Sequence, residues 1–147
     1  MNINYKQIGP DDIDDLEALL KVYVDVFEME NFIIPDKLHL HSLISDNRIV
    51  FQVALANNML IGGLSAYILP SIYSNICEVY IYDLAVKTTF QRRGIGCGLI
   101  SSLKEYCVDK GYRSLFVQAD IVDKHAINFY KATGGKEENV VHFTYQI

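Results

Sequence analysis

EVYIYDLAVKTTFQRRGIGCGLI, residues 78–100, reads in one pass as a strand, a loop and the start of a helix. Cys77 to Val86 is rich in β-branched and aromatic side chains, which predicts a long strand. From Ile95 to Lys110 the residues Ile95, Leu99, Leu103 and Tyr106 recur at helical spacing, and Gly111 supplies the stop. SLFVQADI, residues 114–121, is predicted as the next strand, so residues 78–121 form a βαβ unit whose two strands must run parallel. Between the first strand and the helix stands Gln91-Arg92-Arg93-Gly94-Ile95-Gly96. A helix's first turn leaves backbone N–H groups unpaired and pointing outward, a ready anion site. Gly94 and Gly96 carry no Cβ to hold a phosphate off these amides, and Arg92 and Arg93 add charge at the edge. Two other phosphate loops are excluded. Gly98 is followed by Leu99 and Ile100 rather than Lys and Ser/Thr, and a dinucleotide fingerprint needs glycine where Leu99 stands.

Upstream, FQVALA (51–56) and MLIGGLSAYIL (59–69) read as strands joined at Asn57-Asn58, a pair that tolerates the positive φ of a tight hairpin. Residues 3–8 are predicted as a strand. A helix starts near Pro10 to Asp12, with Ile13, Leu16, Leu20, Tyr23 and Phe27 on its apolar face, and a shorter one lies within Pro35 to Ser45. Downstream, Asp123 can cap the helix KHAINFYKAT (124–133), Gly134-Gly135 end it, and VVHFTYQI (140–147) is predicted as a closing strand. No repeat, low-complexity tract or linker divides the chain. The expected fold class is α/β (α+β): one domain over residues 1–147, with a central mixed, mostly antiparallel sheet flanked by helices.

The 147 residues are half apolar with a formal net charge of -5. A pI near 5.2 and the lack of a basic stripe exclude an ordinary nucleic-acid binder. No stretch approaches the roughly 18 apolar residues of a membrane span, and MNINYKQIGPDD has no leader pattern, so a cytoplasmic protein is expected. Its three cysteines are expected to be reduced, buried thiols. His39 and His41 are the sole histidine pair, and their i, i+2 spacing implies no metal. Residues 1–30 hold eight acids against Lys6 and Lys21, a net of -6, so the remainder sums to +1. Asp11 to Glu17 suit a helix N-terminus; Asp25, Glu28 and Glu30 lie past it and can attract a cationic ligand.

Asp83 interrupts the long apolar strand. Simple alternation puts it on the face shared with Val79 and Ile81, where a carboxylate is costly unless paired or used. Asp120 falls at the C-terminal end of its strand, where open α/β sheets bind ligands. Phe129 and Tyr130 are adjacent on a helix and cannot both face the core squarely, which turns the phenol toward a cleft.

Gln91 to Gly96 matches the Q/R-x-x-G-x-G/A motif, and in this setting the chain resembles the GNAT superfamily of acetyl-CoA-dependent N-acyltransferases. Tyr80-Ile81-Tyr82-Asp83-Leu84-Ala85-Val86 resembles the strand that carries the acetyl-CoA arm, and Ala126-Ile127-Asn128-Phe129-Tyr130 the helix that supplies a tyrosine near the coenzyme sulfur. Ala66-Tyr67-Ile68-Leu69-Pro70, Gln118-Ala119-Asp120 and His142-Phe143 are similar to the aminoglycoside 3-N-acetyltransferases of type I. That branch has Tyr-Gly-Asp-Asp-Pro after Asp120, whereas this chain has Ile121-Val122-Asp123-Lys124-His125, so one expected acid is a lysine. The resemblance implies acetyl-CoA as co-substrate, held by the backbone of Leu84, Ala85 and Val86, by Gln91, Arg92, Arg93, Gly94, Ile95 and Gly96, and by Asp123 and Phe129. It implies Asp83 as general base, with Glu78 in reserve through a water, and Tyr130 as the acid that protonates the leaving thiolate. Tyr82, Asp120, Glu28 and Glu30 then face a small cationic amine that attacks directly in a ternary complex. For that backbone to be free to pair with the acetyl-CoA arm, the Asp83 strand must part from SLFVQADI near Asp83, at a bulge, since fully paired backbone has nothing to offer a ligand. A homodimer paired through the C-terminal strands is also implied. An acceptor that is another amine metabolite, a polyamine or a protein terminus, or a non-catalytic acyl-CoA-binding domain, remains the alternative.

Overall fold

Five strands lie side by side in chain order: β1 (Ile3–Ile8), β2 (Ile49–Ala56), β3 (Met59–Pro70), β4 (Cys77–Val86) and β5 (Ser114–Val117). This computed structural model describes residues 1–147. The first four strands are antiparallel neighbours, and β4 and β5 are parallel, as a βαβ crossover requires. Helices α1 (Ile13–Val26) and α2 (Lys37–Ile44) follow β1, α3 (Ile95–Lys110) links β4 to β5, and α4 (Lys124–Ala132) comes last. A single 3-10 turn, Thr88–Phe90, precedes α3.

The sheet separates two apolar layers. Leu16, Leu19 and Tyr23 of α1, with Leu40 and Ile44 of α2, pack on Phe51, Val53 and Ala85. On the opposite face Ile95, Leu99, Ile100 and Leu103 of α3 pack on Leu64, Ala66, Val79 and Ile81. The buried stripe of α1 is Leu16, Leu19, Val22 and Tyr23: Leu16 and Tyr23 are as predicted, whereas Leu20 is half-buried and Phe27 is exposed. Asn57 and Asn58 both adopt left-handed φ, 49° and 64°, in the hairpin turn. Gly111 ends α3 at φ 73°, where any side chain would be strained. Cys107 is buried, but Cys77 is half-buried and Cys97 is exposed, contrary to the expectation of three buried thiols.

Two departures concern strand ends. β5 stops at Val117, four residues short of the strand predicted through Ile121, and Gln118 to Asp120 carry no regular structure. Residues 136–147 carry none either, so VVHFTYQI is not a strand within this chain. A strand needs a neighbour to satisfy its backbone, and residues 138–147 make no backbone hydrogen bond within the chain. Val140, Val141, Phe143, Tyr145 and Ile147 are all exposed.

Candidate active site

The strand that carries Asp83 contains a β-bulge. Ser65 of β3 faces Asp83 of β4, yet the next β3 residue, Ala66, faces Ile81, so Tyr82 is an extra residue with no partner. One extra residue reverses the alternation beyond it. Val79 and Ile81 point into the α3 layer, whereas Ala85 points into the α1 layer. Asp83 therefore does not share the face of Val79 and Ile81, as simple alternation predicted; it sits with Ala85, Ser65 and Tyr23. The Ser65 hydroxyl donates to Asp83 Oδ2 at 2.8 Å. A half-buried carboxylate thus gains a partner on one oxygen and keeps the other free.

Behind Ser65 lies Tyr23, whose hydroxyl is buried without a hydrogen-bond partner. Burial pushes this phenol upward, the Ser65 hydroxyl eases the rise, and the Asp83 charge adds to it. An orphaned buried hydroxyl is a cost of roughly 1–3 kcal/mol. Tyr23→Phe is therefore expected to raise unfolding stability in urea by about 1 kcal/mol. A loss of that size would place a hydrogen bond to Ser65 there instead.

The parallel ladder between β4 and β5 runs from Glu78↔Ser114 to Ile81↔Val117 and ends there. β4 continues to Val86. From Tyr82 onward its β5-facing edge has no partner strand, so the backbone of Leu84 to Val86 is open to a ligand on that side. The parting anticipated near Asp83 begins at the bulge. Tyr130 of α4 approaches the same gap. Burial pushes its phenol up to about 12, and the Asp123 and Asp83 carboxylates contribute. At neutral pH that side chain keeps its proton, the state a general acid needs.

At the far end of the gap stands the glycine loop. Gly94 adopts φ 78° and Arg92 φ 60°, two left-handed residues that turn the chain into α3. α2 and α4 are capped by the carboxylates of Asp36 and Asp123, which accept from His39 N–H at 2.8 Å and Ala126 N–H at 3.0 Å. No side chain caps α3. Its first amides are left for an external acceptor, and the exposed Arg92 and Arg93 flank them. Arg93 lies over the Phe90 ring, while Arg92 reaches His125 Nδ1 at 3.3 Å. Gly96 serves packing as well: a Cβ there would lie 3.0 Å from the Phe129 ring. Gln91 Nε2 donates to the Val86 carbonyl at 3.0 Å, which ties the loop to the end of β4.

Other predicted residues are more distant or otherwise engaged. Glu78 accepts from Ser114 Oγ at 2.9 Å, at the opposite end of the β4–β5 ladder from Asp83. Asp120 is exposed, and its carboxylate accepts the Val122 N–H at 3.2 Å in a turn. Asp123 is occupied as the α4 cap. Glu28 and Glu30 are exposed just past α1. Tyr82, as the bulge residue, lies exposed beside Tyr67 and Tyr80. Ser65, Tyr23 and His125 were missed in the sequence; their proximity depends on strand register and on how α4 meets the loop.

The model of the acetyltransferase (GNAT) family matches residues 16–134. Over 99% of the chain the structure superposes on 96% of the aminoglycoside acetyltransferase meta-AAC0020 from an uncultured soil metagenomic sample, at a TM-score of 0.96. That protein is 42% identical in its trehalose complex and 41% in its sisomicin complex. The aminoglycoside acetyltransferase HMB0005, also from an uncultured soil metagenomic sample, is 34% identical, with a TM-score of 0.94 over 100% of this chain and 99% of that one. An uncharacterized N-acetyltransferase, MJ1207 of Methanocaldococcus jannaschii, is 38% identical over 61 residues, 42% of this chain. The matched part is 27% of that relative's length.

Proposed function

This chain belongs to the acetyltransferase (GNAT) family, and on that premise we propose that it transfers acetyl from acetyl-CoA to a primary amine of a small cationic acceptor, most readily the 3-amino group of an aminoglycoside. The observation that carries the reading is the parted end of β4, with Asp83 and Tyr130 converging on a gap that an uncapped, glycine-led helix closes at the far side. The residues fit the co-substrate. Unpaired amides at the start of α3 suit a diphosphate, and the free edge of β4 from Tyr82 suits an amide-bearing arm laid on as an extra strand. Bound there, acetyl-CoA supplies an activated thioester.

The chain's part is positional and acid–base. Asp83 takes a proton from the acceptor ammonium and frees its nitrogen lone pair. That pair forms the C–N bond with the acetyl carbon while the C–S bond breaks and its electrons leave with sulfur. Backbone N–H groups near Leu84 to Val86 steady the developing oxyanion; Tyr130 gives its proton to the thiolate and is restored by the second proton that the nitrogen sheds as the amide forms. Asp83 is favoured over Glu78 as base because Glu78 sits at the other end of the ladder. The complex of meta-AAC0020 with sisomicin supports the aminoglycoside class of acceptor. The test is thiol release on mixing the chain with acetyl-CoA and sisomicin. Release is the expected result. Release with other amines alone supports the broader amine reading, and none with any amine supports a non-catalytic acyl-CoA-binding domain.

The active form is a homodimer in this account. Residues 138–147 make no hydrogen bond, and their apolar side chains face solvent, while β5 forms the open end of the sheet. An exposed apolar segment of this kind marks a protein contact. Light scattering is expected to give twice the chain mass for the wild type and a monomer for the Phe143→Asp/Tyr145→Asp double variant. A monomeric wild type contradicts it.

A further inference from the structure

The register of the sheet sets four aromatic rings in a row beside the candidate site. Tyr67 of β3 faces Tyr80 of β4, and Tyr80 faces Phe116 of β5. Tyr80 and Phe116 are stacked with centroids 4.8 Å apart, and Tyr82 meets Tyr67 and Tyr80 edge-on at 5.6 and 5.8 Å. The Tyr80 hydroxyl donates to Gln118 Oε1 at 3.0 Å, which fixes the middle of the row. Tyr82 is 62% exposed, and Tyr67 and Phe116 are each 38% exposed. A contiguous aromatic floor left open to solvent is unusual without a ligand for it.

A carboxylate stands at each end of this floor. At one end Asp83 accepts from Ser65 through Oδ2; at the other Glu78 accepts from Ser114 through Oε1. Each acid is steadied by one serine through one oxygen, and the other oxygen accepts no protein hydrogen bond. Neither is paired with a lysine or arginine. Their β3 partners, Ser65 and Leu69, are four residues apart, which sets the two acids roughly 13 Å apart at ~3.3 Å per residue.

We propose that this face is a platform for a ring-built polycation, with the rings of Tyr67, Tyr80, Tyr82 and Phe116 as its floor and Glu78 as a second anchor for an amine remote from the one acetylated at Asp83. The proposal rests on the acetyl-transfer reading and adds a length requirement to it. Faces of saturated rings and ammonium groups both pack on aromatic π-faces, and the two uncompensated acids complement amines at the two ends of such a ligand. A short monoamine reaches Asp83 alone. In this account Glu78 is a specificity residue rather than a base.

The test compares steady-state kinetics with sisomicin and with glucosamine in the wild type, Glu78→Gln and Tyr82→Leu. For Glu78→Gln, KM for sisomicin is expected to rise ~10-fold while kcat changes far less, the loss of one charge-assisted contact. KM for glucosamine should not move, and Glu78→Asp should recover part of the loss. Tyr82→Leu should weaken sisomicin in the same direction. Sisomicin turnover with unchanged KM in both variants would overturn the platform and leave acetyl transfer standing. If the wild type releases no thiol with either amine, the aminoglycoside reading has failed; calorimetric titration of sisomicin into wild type and Glu78→Gln then decides the platform, and equal Kd values overturn it.

Discussion

Asp83→Asn is expected to lower kcat for acetyl transfer by a factor on the order of 10³, at the scale of a lost general base, with KM for acetyl-CoA nearly unchanged. Asparagine has nearly the shape of aspartate and can still accept from the Ser65 hydroxyl, so the β3–β4 register and the bulge persist. What it lacks is the capacity to take a proton from an ammonium. The glycine loop at Gly94 and the free edge of β4, the proposed coenzyme contacts, are untouched by the change, so coenzyme binding is expected to be spared. Raising the pH should restore part of the rate in the variant, as more acceptor arrives already deprotonated. A kcat within about threefold of wild type would remove Asp83 from the role.

Deleting Tyr82 is expected to leave a stable protein that has lost most of its activity. Because Tyr82 is the one unpartnered residue, its removal joins Ile81 directly to Asp83 while Ala66↔Ile81 and Ser65↔Asp83 both survive. The strand becomes regular and loses the bend that a bulge imposes. β4 can then continue alongside β5 past Ile81, closing the gap where the backbone of Leu84 to Val86 is open. We expect kcat/KM to fall by roughly 10²-fold, the scale of a displacement of about an ångström, with urea stability within about 1 kcal/mol of wild type. Tyr82→Ala keeps the bulge and separates the loss of the ring from the loss of the bend; its kcat should stay well above that of the deletion. Amide exchange offers a direct readout, since Asp83 to Ala85 should become protected in the deletion variant. Near-normal kcat in that variant would show that the bulge does not shape the site.

The same bulge explains where reading the sequence stopped. A run of β-branched and aromatic residues located β4, helical spacing located α3, and Asn57-Asn58, Asp123 and Gly111 marked a turn, a cap and a stop that the structure contains, because each is a local preference written in residue type. A bulge near Asp83 is expected from the need to free the strand's edge, but its register has no local signature: neither glycine nor proline marks Tyr82 as the extra residue, which is set by pairing with β3. The face of Asp83, its contact with Ser65 and the orphaned Tyr23 hydroxyl all follow from that pairing. The aromatic row is a matter of register as well, since Tyr67, Tyr80 and Phe116 come from three strands. VVHFTYQI is expected as a strand from its composition, but a strand is a property of two segments, and no strand of this sheet pairs with it. Gly96 was legible as a glycine that must stay small, though the crowding neighbour is the Phe129 ring.

In the proposed acetyl transfer the bulge at Tyr82 parts β4 from β5 and sets the acetyl thioester beside Asp83. A crystal structure with coenzyme A and sisomicin is the decisive experiment. The diphosphate is expected on the amides that open α3, the pantetheine arm along Leu84 to Val86, the sulfur facing Tyr130 and an amine within hydrogen-bond reach of the free oxygen of Asp83. A diphosphate bound elsewhere, or a gap between β4 and β5 that stays closed with the arm outside it, would contradict it.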